Sequence, residues 1–307
     1  MWIVRGLESY PPDAPPVVAA LGIFDGVHLA HRAILATAVE RGRDLRVPSI
    51  ACTFDPHPTE VLQPDRAPRP ISTLDERLEL IASTGVDGAL VLRFTRELAV
   101  IEAEAFVRDV LAGRLKVREV VVGYNHTFGR GARGNVTLLA ELGDQLGFRV
   151  HVTPPFEVDG VPVSSTAIRA ALQSGNVEGA ARLLGRAYTV NGQVVQGAGR
   201  GRTLGFPTAN LALDRPLLAR SGVYACDAEM DGATWQAVVN VGVRPTFGED
   251  RLAVEAHVLD FAGELYGRRI RVAFLRRLRD ESRFPSVDAL RQQIASDVAS
   301  ARRLRRG

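Results

Sequence analysis

Residues 22–31, near the N-terminus, combine two glycines with two histidines three positions apart. Gly22 and Gly26 allow a tight turn and let a ligand approach the backbone closely. A helix is predicted to begin near His31, and the free N–H groups at a helix start favour phosphate. His28 and His31 could both donate hydrogen bonds to that phosphate. The alternative is an ordinary strand-to-helix turn with two surface histidines, whereas a zinc site lacks a third ligand at usable spacing.

Further polar side chains follow other apolar runs of the first half. His57 comes directly after the second run, and Asn125 comes after the fourth. A predicted helix opens with Ser165, Thr166 and Arg169, whose hydroxyl groups and guanidinium favour a second anion site. Because ligands of parallel sheets bind beyond the carboxyl ends of the strands, we expect the residues of these loops to contribute to chemistry.

The second half contains a loop rich in glycine and arginine at residues 197–211. Backbone N–H groups around Gly199, Arg202 and Gly205 could surround phosphates. Thr208 and Asn210, which follow, offer neutral oxygens of the kind that Mg²⁺ accepts as ligands. Taken alone, such a loop is equally consistent with a flexible hairpin.

A predicted strand at residues 252–261 contains an acidic side chain among apolar ones. Strand alternation places Val254 and Ala256 on one face, and Glu255 and His257 on the other. The carboxylate either belongs to a solvated face or takes part in chemistry. His257 is interpreted as a neighbour that orients or packs.

The elements that position the first group of residues predict an α/β domain. Near-continuous apolar runs alternate with helical patterns, which is typical of a parallel sheet with both faces covered. The predicted strands are 17–24, 47–54, 88–94, 119–124 and 149–156, and the predicted helices between them are 30–43, 74–84, 102–112 and 134–146.

Strands and turns dominate after two short helices at residues 164–184. Apolar strands flank Asp231-Gly232, which predicts a hairpin. Several antiparallel strands with short turns indicate a small barrel, and Ser286 is a suitable N-cap for a final helix at 287–303. We therefore predict two domains, residues 1–185 and residues 186–307.

The composition is that of a globular protein: 307 residues, 46% hydrophobic, 24% charged and a formal charge of +3. This is enough apolar material for two cores. No apolar run reaches the roughly 20 residues of a membrane-spanning helix, and no secretory signal is expected. Cys52 and Cys226 lie in apolar runs and are interpreted as reduced core residues, with a disulfide or a metal as the alternative. We expect a cytoplasmic protein.

The basic residues exclude a P-loop and make a nucleic-acid-binding patch the less favoured interpretation. Lys116 is the only lysine, and it is not preceded by the glycines that a P-loop requires. The arginine-rich residues 302–306 are interpreted as a solvated helix end, which the helix dipole favours. A nucleic-acid patch is the alternative, but no aromatic side chains interleave with the arginines.

Together these segments resemble those of the bacterial bifunctional riboflavin kinase/FMN adenylyltransferases, also called FAD synthetases. The string 197–211, which includes Pro207-Thr208-Ala209-Asn210, resembles the signature of their kinase half, and the similarity extends over essentially the whole chain. Further matching segments are 239–247, 254–261 and 265–267.

For the first domain, the resemblance implies a Rossmann-like nucleotidyltransferase with a His-x-Gly-His motif. His28 and His31 would contact the ATP phosphates in the transition state, and Asn125 would help hold ATP or FMN. A phosphate oxygen of FMN would attack the α-phosphorus of ATP and release pyrophosphate, a reaction that depends on positioning and charge neutralisation. The other residues implied for this nucleotide site are Gly22, Phe24, Asp25, His57, Ser165, Thr166 and Arg169.

For the second domain, the resemblance implies a riboflavin kinase that uses ATP with Mg²⁺. Glu255 would be the general base, taking the proton from the riboflavin 5′-hydroxyl as that oxygen attacks the γ-phosphate. Thr208 and Asn210 would bind the metal. The loop residues implied to contact the nucleotide are Gly199, Arg202 and Gly205.

Two positions depart from the family pattern. Ala30 stands where the motif has glycine, and His126 stands where relatives usually have phenylalanine. These departures leave open the alternative of a riboflavin kinase whose first domain only binds nucleotide or flavin. A further alternative is a non-catalytic flavin- or RNA-binding protein that uses the basic tail, but Glu255, Thr208 and Asn210 argue against it. The expected partners are riboflavin, FMN and ATP, with no nucleic acid and no membrane. Self-association is left open.

Overall fold

A computed structural model describes residues 1–197, 201, 205–246 and 249–304, and for 243–246 and 249–252 it describes the backbone only. Two compact units are present, Met1–Ser165 and Thr166–Gly307. Helices that we predicted at the end of the first domain are grouped with the second unit. The predicted boundary at residues 185 and 186 stays a prediction.

A six-stranded parallel sheet forms the centre of the first unit, which confirms the predicted α/β class. Its strands are β1 (Trp2–Arg5), β2 (Val18–Leu21), β3 (Ser49–Asp55), β4 (Gly88–Arg93), β5 (Glu119–Gly123) and β6 (Arg149–Thr153). They lie in the order β1-β4-β3-β2-β5-β6, and every neighbouring pair is parallel. Only β1, an edge strand, lies outside the predicted runs. A short ribbon, β7 (Glu157–Val158) with β8 (Val161–Pro162), follows.

Helices cover both faces of this sheet, as the sequence pattern requires. They are α1 (Leu29–Leu45), α2 (Pro58–Leu62), α3 (Leu74–Ala82), α4 (Arg96–Ala99), α5 (Ala103–Ala105), a π-helical segment (Phe106–Arg114) and α6 (Val136–Leu146). The central strand β2 shows the two-sided burial most clearly. Val18 and Ala20 pack with Leu35 of α1 on one face, and Ala19 and Leu21 belong to a separate core on the other.

A closed antiparallel barrel forms the second unit, again as predicted. Its strands are β9 (Tyr188–Val195), β10 (Ala209–Leu213), β11 (Gly222–Met230), β12 (Ala233–Thr246), β13 (Glu249–Val258) and β14 (Arg269–Arg279). Their order is β10-β13-β12-β11-β14-β9. Asp231 and Gly232 connect β11 to β12 with φ angles of 50° and 77°, the left-handed conformation that a two-residue hairpin needs.

The barrel is accompanied by helices α7 (Ser165–Ser174), which begins at the last residue of the first unit, α8 (Val177–Leu184) and α9 (Val287–Arg303). The Ser286 side chain caps α9 by accepting a hydrogen bond from the backbone N–H of Ala289 at 3.1 Å. Arg279 of β14 donates to both oxygens of buried Asp297, which fixes α9 against the barrel. Among the described residues, no helix has the length and hydropathy needed to cross a membrane.

Candidate active sites

The loop between β2 and α1 has an unusual backbone. Phe24 and Val27, which are not glycines, have φ angles of 54° and 39°, a conformation that side chains with a Cβ atom rarely adopt. Gly26 has a φ of 77°, and a Cβ atom there would lie 2.7 Å from the Ile71 side chain. Strained backbone persists only where surrounding contacts impose it, and such strain clusters at functional sites.

Asp25 supplies much of that restraint. The carboxylate is 3% exposed and accepts hydrogen bonds at 3.0 Å from the backbone N–H groups of Ile71 and Ser72. The Ser72 hydroxyl donates to the same carboxylate and accepts from the N–H of Gly26. Asp25 therefore ties the loop to the segment before α3. Its predicted contact with a nucleotide stays a prediction.

The two histidines of the loop lie against each other. The rings of His28 and His31 are stacked, with centroids 3.5 Å apart and planes inclined by 15°. His28 is 4% exposed, so it is not one of the surface histidines of the alternative interpretation. Its Nδ1 accepts the backbone N–H of His31 at 3.2 Å and caps α1. Because Nδ1 accepts, the neutral ring has its proton on Nε2, which is then a donor.

His31 is held in the neutral form. Burial is the main reason that the pKa of His31 lies well below its ordinary value, and the charges of His28 and Arg77 lower it further. Buried Phe24, another predicted site residue, contacts the His31 ring edge-on at 5.2 Å. A ring that stays neutral acts on a phosphate as a hydrogen-bond donor rather than as a fixed charge.

Arg77 of α3 was missed at the sequence level. It is 5% exposed, and its Nη1 donates to the carbonyl oxygens of Ile23 and Phe54 at 3.1 and 2.9 Å, and to Thr53 Oγ1 at 3.2 Å. One guanidinium thus joins the carboxyl ends of β2 and β3. Burial lowers the pKa of Arg77, and the Asp25 charge opposes that shift. The available signal was its position on the apolar face of α3, beside buried Leu78.

Other predicted residues of the first site lie at the same edge or beyond it. His57 follows β3, and its Nδ1 caps α2 by accepting the N–H of Thr59 at 3.1 Å. Asn125 follows β5 and is exposed. The Ser165 hydroxyl donates to the carbonyl oxygen of Asp25 at 3.1 Å. Thr166 and Arg169 lie on α7 in the second unit, so their part in this site stays a prediction.

His126, one of the two departures from the family pattern, is in an apolar setting. Its ring stacks on Phe128 with centroids 5.8 Å apart. The buried Nε2 atom has no hydrogen-bond partner among the described residues. Burial lowers the pKa of His126 to about 4. At neutral pH the ring is therefore uncharged and takes the place of an apolar side chain.

The second candidate site is a row of polar residues across three barrel strands. Asn210 of β10 pairs directly with Glu255 of β13, and Glu255 pairs on its other side with Asn240 of β12. Directly paired residues place their side chains on the same face, with Cβ atoms roughly 5 Å apart. Their neighbours Val254 and Ala256 are buried, so the polar row is on the outer face of the barrel. Asn240 was not predicted as a site residue.

Two glycines of the preceding segment lie close to Asn210 and Thr208. A Cβ atom at Gly197 would overlap the side-chain amide of Asn210. A Cβ atom at Gly201 would overlap the carbonyl oxygen of Phe206 and lie 2.9 Å from Thr208 Oγ1. These are not the glycines that we singled out. Gly205 is in an exposed left-handed turn with a φ of 85°, and Gly199 and Arg202 lie outside the described residues.

The oxygen donors in and next to the polar row suit a hard cation. They are the amide of Asn210 in the row and the hydroxyl of Thr208 two residues before it, and the carboxylate of Glu255, paired with Asn210, adds negative charge beside them. In the part of the chain that the structure describes, no three His, Cys, Asp or Glu residues form a cluster that could hold a metal. Mg²⁺ fits this arrangement because it commonly binds through one or two protein ligands, substrate phosphates and waters.

Comparisons with known proteins match each unit separately and the chain as a whole. Residues 11–167 match the family model of FAD synthetase, and residues 184–305 match that of riboflavin kinase. A bifunctional riboflavin kinase/FMN adenylyltransferase of Pseudomonas fluorescens is 41% identical over 305 residues, which is 99% of this chain and 98% of the relative. The protein of the same description from Escherichia coli strain K12 is 40% identical, with coverages of 98% and 97%.

A solved structure resembles the chain over nearly its full length. It is described as a macrolide-efflux protein from Streptococcus pneumoniae, and it superposes with a TM-score of 0.91 at 31% identity. The match covers 98% of this chain and 99% of the other. The fold of both units is therefore one already seen in a crystal.

Proposed function

Because the chain belongs to the family of bifunctional riboflavin kinase/FMN adenylyltransferases, we propose that it makes FMN from riboflavin in its second unit and FAD from FMN in its first. ATP is the second substrate of both reactions. The observation that carries the proposal is the direct pairing of Asn210 with Glu255 on neighbouring strands. The pairing supports the proposal because it sets a carboxylate next to an amide oxygen, and phosphoryl transfer needs a base close to the metal–nucleotide complex.

In the kinase reaction, Glu255 removes the proton from the riboflavin 5′-hydroxyl while that oxygen attacks the γ-phosphorus of ATP. The bond from the γ-phosphorus to the β,γ-bridging oxygen breaks, and ADP leaves. Thr208 and Asn210 hold Mg²⁺, which neutralises charge on the phosphates when it is bound. The close fit of Gly197 against Asn210 keeps that amide in a fixed position.

In the adenylyl transfer, a phosphate oxygen of FMN attacks the α-phosphorus of ATP, and pyrophosphate leaves. His28 donates from Nε2 to the phosphate oxygens, since its Nδ1 is engaged in capping α1. His31, neutral and stacked against His28, is proposed to donate as well. Asp25 and Arg77 hold the loop that presents both rings. The contributions proposed for Gly22, His57, Asn125, Thr166 and Arg169 depend on the family resemblance.

The setting proposed for these reactions is the cytoplasm, where ATP is available. The two cysteines, Cys52 and Cys226, are buried free thiols, and burial raises the pKa of Cys52 to about 12. Such thiols are inert and need no oxidising compartment.

A chromatographic assay that separates riboflavin, FMN and FAD tests the proposal. With riboflavin, ATP and Mg²⁺, we expect FMN first and FAD later. With FMN as the starting flavin, we expect FAD and one pyrophosphate per FAD. A preparation that makes FMN but never FAD would support the alternative of a kinase with an inactive first unit.

Ala30 is the residue on which that alternative depends. It lies in the first turn of α1, next to the capping His28. If its methyl group crowds the nucleotide, Ala30→Gly increases the rate of FAD formation by about ten- to a hundredfold, because overpacking costs on the order of 1–3 kcal/mol. The rate of FMN formation is the control and stays unchanged.

A further inference from the structure

His257 makes a contact that links the proposed base strand to the proposed metal segment. Its Nδ1 lies 2.8 Å from the carbonyl oxygen of Pro207. Because a carbonyl oxygen only accepts, Nδ1 donates its proton. The ring of Phe206 meets the His257 ring edge-on, with centroids 5.5 Å apart and planes inclined by 87°. One side chain of β13 thus contacts two consecutive residues that precede Thr208.

The hydrogen bond from His257 to Pro207 lies at the end of the backbone pairing between β10 and β13. Among the described residues, backbone pairing of β10 with β13 runs from Leu211 opposite Val254 to Ala209 opposite Ala256 and ends there. Pro207 and Thr208 lie before the first residue of β10. Pro207 and Thr208 are therefore not paired with β13 through their backbone, and the His257 side chain supplies a hydrogen bond where the backbone pairing stops.

The Pro207 carbonyl belongs to the peptide unit that leads into Thr208. A peptide unit is planar, so a hydrogen bond to its carbonyl oxygen fixes the orientation of the whole unit. The direction in which the Thr208 side chain leaves the backbone depends on that orientation. Gly201 also lies close to this segment, since a Cβ atom there would be 2.4 Å from Phe206 O and 2.9 Å from Thr208 Oγ1.

We propose that His257 is a positioning residue for riboflavin phosphorylation. Through the Pro207 carbonyl it holds the Thr208 hydroxyl at the level of Asn210 and Glu255, so that the metal–nucleotide complex meets a preformed set of oxygens. His257 and Glu255 lie on the same outer face of β13, two residues apart. This inference rests on the proposed kinase function of the second unit.

Two substitutions separate the hydrogen bond from the packing. His257→Phe keeps an aromatic ring against Phe206 but has no donor. His257→Asn loses the ring, but its amide Nδ2 is a donor at nearly the position of the imidazole Nδ1. Kinase kinetics are measured at several Mg²⁺ concentrations, and FAD formation from FMN by the same preparation shows that the chain is folded and active in its first unit.

For His257→Phe, we expect the KM for MgATP and the Mg²⁺ concentration giving half-maximal rate to rise roughly three- to tenfold, the effect of one lost hydrogen bond. The KM for riboflavin stays within about twofold of the native value. His257→Asn returns both raised constants to within about twofold of native. A purely structural role would lower kcat and raise all constants together.

Three results would overturn the inference. Native constants in His257→Phe would show that the hydrogen bond does not position the metal segment. Equal defects in the Phe and Asn variants would assign the effect to ring packing. A native chain that forms no FMN would contradict the kinase function itself, and this role for His257 would fall with it. That outcome is distinguishable from an active native chain whose His257→Phe variant is unaffected, which would contradict only the role of His257.

Discussion

The loop that presents His28 and the row that contains Glu255 are positioned by different means. The loop has left-handed residues that are not glycine, and buried side chains, chiefly Asp25 and Arg77, hold it through hydrogen bonds to backbone groups. The polar row follows from backbone register alone, because Asn210, Glu255 and Asn240 are direct partners on three strands. Substitutions of buried supporting residues should therefore impair the first site, whereas the second should fail mainly at its own residues, at its glycines and, for the segment before β10, at His257.

The largest effect is expected from Glu255→Gln. Removing the general base while keeping size and hydrogen-bonding capacity lowers kcat for FMN formation by about 10²- to 10⁴-fold. FAD formation from supplied FMN stays at the native rate. Initial rates of the two reactions on one preparation check both statements. Full kinase turnover in the variant would contradict the role of Glu255.

A tens-of-fold loss of kinase efficiency is expected from Gly201→Ala. The added methyl group would overlap the Phe206 carbonyl and crowd Thr208 Oγ1, and such overpacking costs on the order of 1–3 kcal/mol. The loss should fall on the KM for MgATP. The matched control is Gly232→Ala in the β11–β12 hairpin, also in the second unit, where a Cβ atom would meet no atom within 4 Å. That substitution strains a left-handed turn without touching the polar row, so equal loss of kinase efficiency in both variants would contradict the local explanation.

Arg77→Met tests the supporting side chains of the first site. It removes a donor from the carbonyl oxygens of Ile23 and Phe54, although Ile23 keeps the hydrogen bond from the Thr53 hydroxyl. Loss of hydrogen bonds to a buried charged group costs about 2–4 kcal/mol. We expect FAD formation to fall about tenfold or more and FMN formation to remain. Arg66→Met, on a nearby exposed arginine, is the control. Equal rates in both variants would contradict the positioning role of Arg77.

The smallest effect concerns stability at low pH. Because the pKa of His126 is lowered to about 4 in the folded chain, the unfolded chain binds this proton first as pH falls below about 6.5. The neutral His126 ring makes its full contribution to the free energy of unfolding above pH 6.5, and this contribution is lost as the pH falls towards 4. His126→Phe removes this dependence, so its advantage over the native chain in unfolding free energy should grow by roughly 2 kcal/mol between pH 7 and pH 4.5.

That comparison isolates His126 from His31, which titrates in the same direction in both chains. Unfolding of the first unit can be followed by the fluorescence of Trp2 if the other tryptophan, Trp235, is replaced by phenylalanine in both chains. A constant difference in unfolding free energy across this pH range would mean that the His126 ring is hydrated in the folded state.

The barrel site was predictable from sequence to the extent that periodicity determines it. Alternation along β13 predicted that the Glu255 side chain lies on the face opposite to Val254 and Ala256, and the burial of those two residues agrees. The partner of Glu255 on β12 could not be found in this way, because alternation along one strand does not determine its register with the next strand. Asn240 was therefore named only as part of a matching segment.

The first site shows where sequence patterns stop being informative. The histidine spacing correctly suggested one helix turn, and His28 indeed caps α1. The supporting contacts join residues that are far apart in the sequence. Asp25 and Ile71 are separated by 46 positions, and Arg77 and Ile23 are separated by 54. Asp25 was predicted as a nucleotide contact because it lies in the motif, whereas its carboxylate accepts hydrogen bonds from the chain's own backbone. Pairings of this range depend on the fold and not on local spacing.

Complementation between two variants tests most directly whether each unit performs one reaction at its own site. His28→Asn keeps a residue that caps α1 but removes the donating ring, and Glu255→Gln removes the kinase base. Neither chain alone should convert riboflavin to FAD, with the first stopping at FMN and the second at riboflavin. An equimolar mixture with ATP and Mg²⁺ should make FAD, because FMN from one chain is used by the other. No FAD from the mixture, or complete conversion by either chain alone, would contradict two separate sites.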